Sequence, residues 1–525
     1  MTRVESQPRP AGMSRPLADL VSQLPPGIFS LTARSSPEVS ARVVVPDDVI
    51  VNDVTLDSRA VEQGGLFLAV KGLTHHGLKF AGQAVARGAR AVLYEESPEI
   101  TAPDFGPGIF VAAVPQLSQH ASFIADRFFG APSQALTMAG ITGTNGKTTC
   151  AWLLAQALQY CGRPAAYMGT LGFGRPPTVT PTAHTTSDAV SVQRHLAALR
   201  SLGAECVSME VSSHALDQDR VAGVRFNTAA FTNLTRDHLD YHGTMEAYGA
   251  AKARLFAWPA LVNRVINVDD PFGAQLASQP SSARLVITTQ KGGVAIRNAE
   301  YVHATRATPD TAGLVISVES SWGPTELTVR LIGEFNVDNV LTVLATLLAW
   351  NIPLPQAIRA LEQCRAASGR MEMFGGRGLA PLAIVDYAHT PDALSKALVA
   401  ARLHCRGQLR VVFGCGGDRD AGKRPLMGRI AAELADELIV TDDNPRSEDP
   451  ARIVADIVAG IGGAAPVVVE HDRAVAIRMA LQRSVPDDVV VVAGKGHEDY
   501  QIYGTVRRPF VDQAVVTAAL EGRRP

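Results

Sequence analysis

The chain has 525 residues, 46% of them hydrophobic and 19% charged, with a formal net charge of -2. That length exceeds one hydrophobic core and predicts about three domains. The near-neutral charge excludes a general affinity for nucleic acid or an anionic membrane. Six cysteines, at 150, 161, 206, 364, 405 and 415, form no CxxC pair, so a reduced cytoplasmic protein is expected rather than a disulfide scaffold or a zinc module.

Residues 1–35 are polar and Pro-rich at the start, lack the apolar core of a signal peptide, and predict a loose extension. No later stretch reads as a membrane span. Residues 36–135 predict a small mixed α/β domain, with turn glycines at 64, 65 and 72 in "VTLDSRAVEQGGLFLAVKG". Next, "LTMAGIT" (136–142) predicts a strand, and "KTTCAWLLAQALQYCG" (147–162) a helix stopped near Gly162. The loop between them departs from the usual G-x-x-x-x-G-K-[ST] phosphate loop, since Ile141 stands where its first glycine belongs. Gly143, Gly146 and Lys147 nevertheless sit between a strand and a helix, the context in which backbone N–H groups cradle phosphate. The competing reading is a glycine-rich turn with a surface lysine.

Glu210 in "MEVSSHAL" ends a strand-like run and suits Mg²⁺ as a hard oxygen donor, or is a solvated turn acid. In "TNLTRDHLDYHG" (232–243), His238 and His242 are four apart, the spacing of two zinc ligands on one helix face, but H-E-x-x-H is absent and a polar loop fits as well. Lys252, on spacing alone, reads as one exposed helix lysine.

The last third alternates apolar strands, "LAIVDYA" (382–388), "LRVVFGC" (409–415), "ELIVTDD" (437–443), "PVVVEHD" (466–472) and "DVVVVAGKG" (488–496), with helical stretches. Runs apolar throughout predict a parallel sheet covered on both faces. Asp386 and His389, "GGDRD", "DDNPR" and "GKGHE" all fall at strand ends, where ligands bind in open α/β sheets. Asn444-Pro445 favours a turn that would hold Arg446 rigidly for bidentate carboxylate binding. "GCGGDRD" lacks G-x-G-x-x-G, which argues against NAD.

As an ordered set, "TLDSR", "GTNGKTT", "MEVSSHAL", "NLTRDHLDYHG", "GEFNVDN", "GRME", "DYAHTPDAL", "GCGGDRDAGKRP", "DDNPR" and "GKGHEDYQ" resemble the Mur ligase family of ATP-dependent amide-forming enzymes of bacterial cell-wall synthesis, over residues 50 to 515. The resemblance implies three α/β domains: a UDP-sugar domain (36–135), a phosphate-loop ATPase domain (136–367) and a Rossmann-like amino-acid domain (368–525). "DDNPR" resembles the family members that add meso-diaminopimelate to UDP-N-acetylmuramoyl-L-alanyl-D-glutamate. L-lysine as the added amino acid, or a folylpolyglutamate synthetase, are the alternatives.

By the same resemblance, Gly143, Thr144, Asn145, Gly146, Lys147, Thr148, Thr149 and Asn267 would bind ATP. Leu56, Ser58, Leu73, Thr74 and His75 would meet the UDP-sugar. Thr185, Thr186, Ser212, Gln218 and Arg220 would hold the dipeptide end, with His184 standing where a close relative has Asn. Arg419, Asp443, Asn444, Pro445, Arg446, Gly494 and Glu498 would bind diaminopimelate. Catalysis would fall to Lys147, Lys252, Glu210 and His238, with Mg²⁺ held by Thr148, Glu210, His238 and Lys252 as a carbamate. A cytoplasmic monomer with no nucleic-acid or membrane partner is implied.

Overall fold

The computed structural model describes residues 13–22, 45–72, 75–98, 100, 102–259, 261–292, 299–310, 313–376, 378–463 and 465–522. The chain divides into two compact units, residues 1–266 with 270–285, and residues 267–269 with 286–525.

The first unit begins with a four-stranded parallel sheet, Val54–Thr55, Leu66–Ala69, Ala91–Glu95 and Phe110–Val114 in that order. Part of the expected loose extension is structured on it. Arg15–Pro16 pairs antiparallel with Ile50–Val51, and Leu17, Leu20 and Val21 are buried in the same core as Leu66 and Leu93. The i, i+3, i+4 spacing of those three side chains gives a short helix one apolar face, a signal hidden by the prolines around it.

The same unit carries, apart from Asn267 at the end of the last strand, a larger set of strands in the order Thr178–Thr180, Gly172–Arg175, Ala165–Gly169, Cys206–Glu210, Thr137–Thr142, Thr228–Phe231 and Asn263–Asn267. The outer two pair antiparallel and the others parallel. The predicted strand–loop–helix is present, with the strand at Thr137–Thr142 and the helix at Lys147–Tyr160. Cys150 to Ala155, Ala157 and Leu158 are buried, and Ala and Leu are strong helix formers. Gly162 follows at φ +78°. Gly146 caps the N-terminus with no side-chain hydrogen bond, which leaves the first N–H groups of the helix for a ligand.

In the second unit, Val286–Thr289 runs parallel to Glu300–His303, and Gly313–Ser320 and Thr325–Val329 continue antiparallel. The buried helix Phe335–Ala349 follows. A six-stranded sheet then has the order Glu372–Gly375, Leu382–Asp386, Val489–Ala493, Leu409–Phe413, Glu437–Val440 and Val467–Val469. Only its first pairing is antiparallel. All five strands predicted in the last third are therefore present. Val489–Ala493 is buried along its whole length, as a central parallel strand covered on both faces must be. Because that strand lies between Leu382–Asp386 and Leu409–Phe413, the carboxyl ends of the strands open on a crevice carrying the polar clusters.

Candidate functional site

The loop Gly143–Gly146 is fixed from behind by the segment after Thr228–Phe231. Thr144 N donates to Asn233 O (2.8 Å), Asn145 N to Asn233 Oδ1 (3.0 Å), and Thr232 Oγ1 to Asn145 O (2.6 Å). Gly143 has φ +150°, and a Cβ there would stand 1.9 Å from Thr232 Oγ1, so only glycine lets the loop lie this close. Lys147 donates to Gly143 O and Thr144 O, both at 2.9 Å. Burial pushes its pKa down, against the charges of Glu210 and Asp237.

Glu210 is 0% exposed, which excludes the solvated-turn reading. Its Oε1 accepts from Tyr167 OH (2.5 Å) and Thr170 N (2.9 Å), and its Oε2 from Thr148 Oγ1 (2.9 Å) and Thr170 Oγ1 (3.2 Å). All these donors are neutral. A buried carboxylate with neutral partners, beside a threonine hydroxyl, is a hard-oxygen donor set that fits Mg²⁺. Thr170 and Tyr167 were invisible in the sequence, because strand pairing brings them to Glu210 from 40 and 43 residues away.

The residues that the resemblance assigned to the dipeptide gather around the backbone of the same strand end. Thr185 Oγ1 lies 3.0 Å from Thr170 Oγ1, Thr186 Oγ1 donates to Glu210 O (3.0 Å), and Ser212 N to Thr186 Oγ1 (3.1 Å). Arg220 donates to Thr186 O (3.0 Å) and doubly to Gln218 Oε1 (3.0 and 2.6 Å). His184, next to Thr185 in the chain, is exposed. Leu56, Ser58 and His75 line a cavity of about 890 Å³ together with Arg59, Arg87 and Asp188. Leu73 and Thr74 lie outside the described residues.

Lys252 departs from its spacing-based reading. It is 1% exposed, its Nζ donates to Gly143 O (2.8 Å), and it sits 4.3 Å over the Tyr248 ring. Burial, reinforced by the charge of Lys147, pushes its pKa down to about 6, so its amine is largely uncharged at neutral pH. His238 and His242 do not share a helix face. His238 has φ +51° and precedes the helix Leu239–His242, with its Nε2 3.4 Å from Asp237 Oδ2, while His242 Nε2 lies 2.9 Å from Ser213 Oγ. Among the described residues no group of three or more His, Cys, Asp or Glu forms a metal-binding cluster, and His238 makes no hydrogen bond to Glu210.

In the second unit, Asn267 Oδ1 accepts from Asp269 N (3.0 Å). The turn after Glu437–Val440 carries Asp443, Asn444, Pro445 and Arg446. Arg446 has φ +53°. Its N donates to Ile502 O (3.0 Å) and its Nη1 to Gly417 O (2.7 Å), so one guanidinium nitrogen is tied to a carbonyl of the neighbouring loop. Asn444 Nδ2 donates to Glu498 Oε2 (2.9 Å). Burial raises the pKa of Asp443, and Lys495 opposes it. Gly494 brings its backbone against that acid: a Cβ there would be 2.7 Å from Asp443 Oδ2. Arg419 stands exposed on the neighbouring loop.

A strand–loop–helix with an uncapped helix N-terminus, a buried loop lysine and a buried acid define an α/β phosphate-loop protein. Residues 51–125 match the Mur ligase family catalytic domain, 141–347 the Mur ligase middle domain, and 369–496 the Mur ligase glutamate ligase domain. The chain is 49% identical over 473 residues to the UDP-N-acetylmuramoyl-L-alanyl-D-glutamate--2,6-diaminopimelate ligase of Ectopseudomonas mendocina, covering 90% of this chain and 95% of that one. It is 47% identical over 470 residues to the protein of the same name in Pseudomonas aeruginosa, covering 89% and 94%. A solved structure of that name aligns with TM-score 0.69 and 36% identity over 90% of this chain and 95% of the other. The chain belongs to the Mur ligase family and has its three-domain α/β fold.

Proposed function

We propose that the chain is an ATP-dependent amide ligase that joins meso-diaminopimelate to the D-glutamate γ-carboxylate of UDP-N-acetylmuramoyl-L-alanyl-D-glutamate. It would act as a cytoplasmic monomer in peptidoglycan precursor synthesis, with domains at 36–135, 136–367 and 368–525. The observation that carries the reading is the 49% identity over 90% of the chain to a ligase named for that amino acid. Among the described residues no helix is long and apolar enough to cross a membrane.

In this reading the γ-carboxylate attacks the γ-phosphate of ATP, ADP leaves, and an acyl phosphate forms. The diaminopimelate amine then attacks the acyl carbon, phosphate leaves, and the nitrogen loses a proton as the amide forms. Gly143 to Thr149 hold ATP, with the backbone N–H groups of Gly146 to Thr149 offered to the phosphates while those of Thr144 and Asn145 stay on Asn233, and Asn267 meets the adenine. Lys147 leaves the Gly143 and Thr144 carbonyls to offset the like-charge repulsion of a carboxylate meeting a triphosphate. Glu210, Thr148 and His238 would hold Mg²⁺, which when bound supplies further charge neutralisation. The uncharged Lys252 amine is the form that adds CO₂ and releases a proton, becoming a carbamate anion able to hold a second cation. Leu56, Ser58, Leu73, Thr74 and His75 take the UDP-sugar, and Thr185, Thr186, Ser212, Gln218 and Arg220 the dipeptide. Arg419, Asp443, Asn444, Pro445, Arg446, Gly494 and Glu498 take the amino acid.

The test is ADP release and mass detection of the ligated UDP-tripeptide, with meso-diaminopimelate or L-lysine as acceptor. Equal use of lysine, or ADP release independent of the UDP-dipeptide, would refute the assignment.

A further inference from the structure

Lys495 lies in "GKGHE" just beyond the central strand Val489–Ala493, and none of the roles above uses it. It is 0% exposed. A buried ammonium needs partners, and three are supplied. Its Nζ lies 3.1 Å from Glu498 Oε2 and 3.3 Å from Asn444 Oδ1, and 5.4 Å from the centre of the Tyr500 ring.

The arrangement has a direction. Asn444 Oδ1 accepts from both Lys495 Nζ and Ile502 N (3.0 Å), so the amide oxygen must face these two donors. Its NH₂ is thereby turned onto Glu498 Oε2 (2.9 Å). Oε2 thus receives two donors, while Oε1 of Glu498 has no hydrogen-bond partner among the described residues. The Glu498 side chain is 18% exposed, so one oxygen is anchored and the other is presented outward. Lys495 is paired with Glu498 at 3.1 Å, and Arg473, the other buried cation near Asp443, is already taken by Asp512 at 2.8 Å.

We infer that Lys495 is a positioning residue for the amino-acid acceptor: it fixes the Asn444 amide and the Glu498 carboxylate so that Glu498 Oε1 receives a primary ammonium of the substrate. The inference rests on the amino-acid ligase reading. Lys495 itself touches Glu498, Asn444 and Tyr500, and acts on the acceptor through the first two.

The experiment is steady-state kinetics on the full-length protein, with wild type, Lys495→Met, Glu498→Gln and the double variant. Wild-type turnover with meso-diaminopimelate is measured first, since its absence refutes the ligase reading and not the role of Lys495. Given turnover, Lys495→Met is expected to raise the KM for meso-diaminopimelate at least tenfold, with the KM values for ATP and the UDP-dipeptide within twofold. In the Glu498→Gln background the same change is expected to move that KM by less than threefold, because the carboxylate it aims is gone. Multiplicative effects in the double variant, or a parallel rise of all three KM values, would overturn the inference. Lys495→Gln, which keeps a donor but no charge, is read in the same way if Lys495→Met does not fold. Failure of both to fold would assign Lys495 to stability alone and overturn it as well.

Discussion

L-lysine and meso-diaminopimelate differ by one carboxylate at the far end, so a site that tells them apart must bind that carboxylate. Two arginines are available, and their surroundings separate them. Arg446 is half-buried, with its backbone tied to Ile502 and one guanidinium nitrogen committed to Gly417 O. That leaves most of a planar donor fork already oriented. Arg419 is exposed on the loop after Asp418. Losing a desolvated charge-assisted contact costs about 2–5 kcal/mol, whereas an exposed ion pair contributes about 0.2–1 kcal/mol. At about 1.4 kcal/mol per factor of ten, Arg446→Ala should raise the KM for meso-diaminopimelate roughly 30- to 4,000-fold, and Arg419→Ala by no more than about fivefold. Alanine takes the same φ +53° strain as arginine, so the backbone is a constant in this comparison. The assay varies each substrate in turn and repeats the series with L-lysine, whose use Arg446→Ala should barely alter. A larger effect at Arg419, or a rise of all three KM values at Arg446, would refute the reasoning.

Three further outcomes are expected. The low pKa of Lys252 predicts a carbamate carbonyl signal by NMR in ¹³C-bicarbonate, absent in Lys252→Ala; that variant should lose most ligation and regain part with small carboxylic acids but not with bicarbonate. A Cβ at Gly169 would stand 2.1 Å from Glu210 Oε1, so Gly169→Ala should displace the buried carboxylate and lower kcat at least tenfold with an unchanged circular dichroism spectrum; full activity would show that Glu210 does not need its present position. His195 is 2% exposed, stacks on Phe173 at 3.9 Å, and burial pushes its pKa down from 6.5 to about 4. Between those values the unfolded chain binds a proton that the folded chain refuses. Its contribution is therefore intact above pH 6.5 and falls with acidification by a total of about 3 kcal/mol, levelling off below about pH 4. His195→Leu should flatten that part of the thermal-midpoint profile, and an unchanged profile would refute it.

The strand before the phosphate loop and the five strands of the last third were legible because apolar runs and turn residues are local signals, whereas the four parallel strands of the first sheet were read only as part of a small mixed domain. The phosphate loop was legible despite Ile141, because the strand before it and the helix after it carry the function, while the first glycine of the usual spelling does not. Lys252 was not: its burial comes from the loop at Gly143, more than a hundred residues earlier. The paired histidines misled because one left-handed residue, His238, separates them from a common helix face. Tyr167, Thr170 and Lys495 take their meaning from neighbours that only the fold supplies.

The ion pair between Arg473 and Asp512 is fully buried on both sides, and Arg473 Nη2 also donates to Ala493 O (3.0 Å). Ala493 is the last residue of the strand that leads into Gly494 and Glu498, and Asp512 is the first residue of the helix Asp512–Glu521. The final helix is thus a keystone set behind the strand end that leads into Gly494 and Glu498. Removing it would strand a guanidinium in the core, at a cost of about 3–5 kcal/mol, and loosen that strand end. On the proposed reading, shortening this chain from its carboxyl end is therefore a way to disarm amino-acid binding without touching any residue assigned to the substrate.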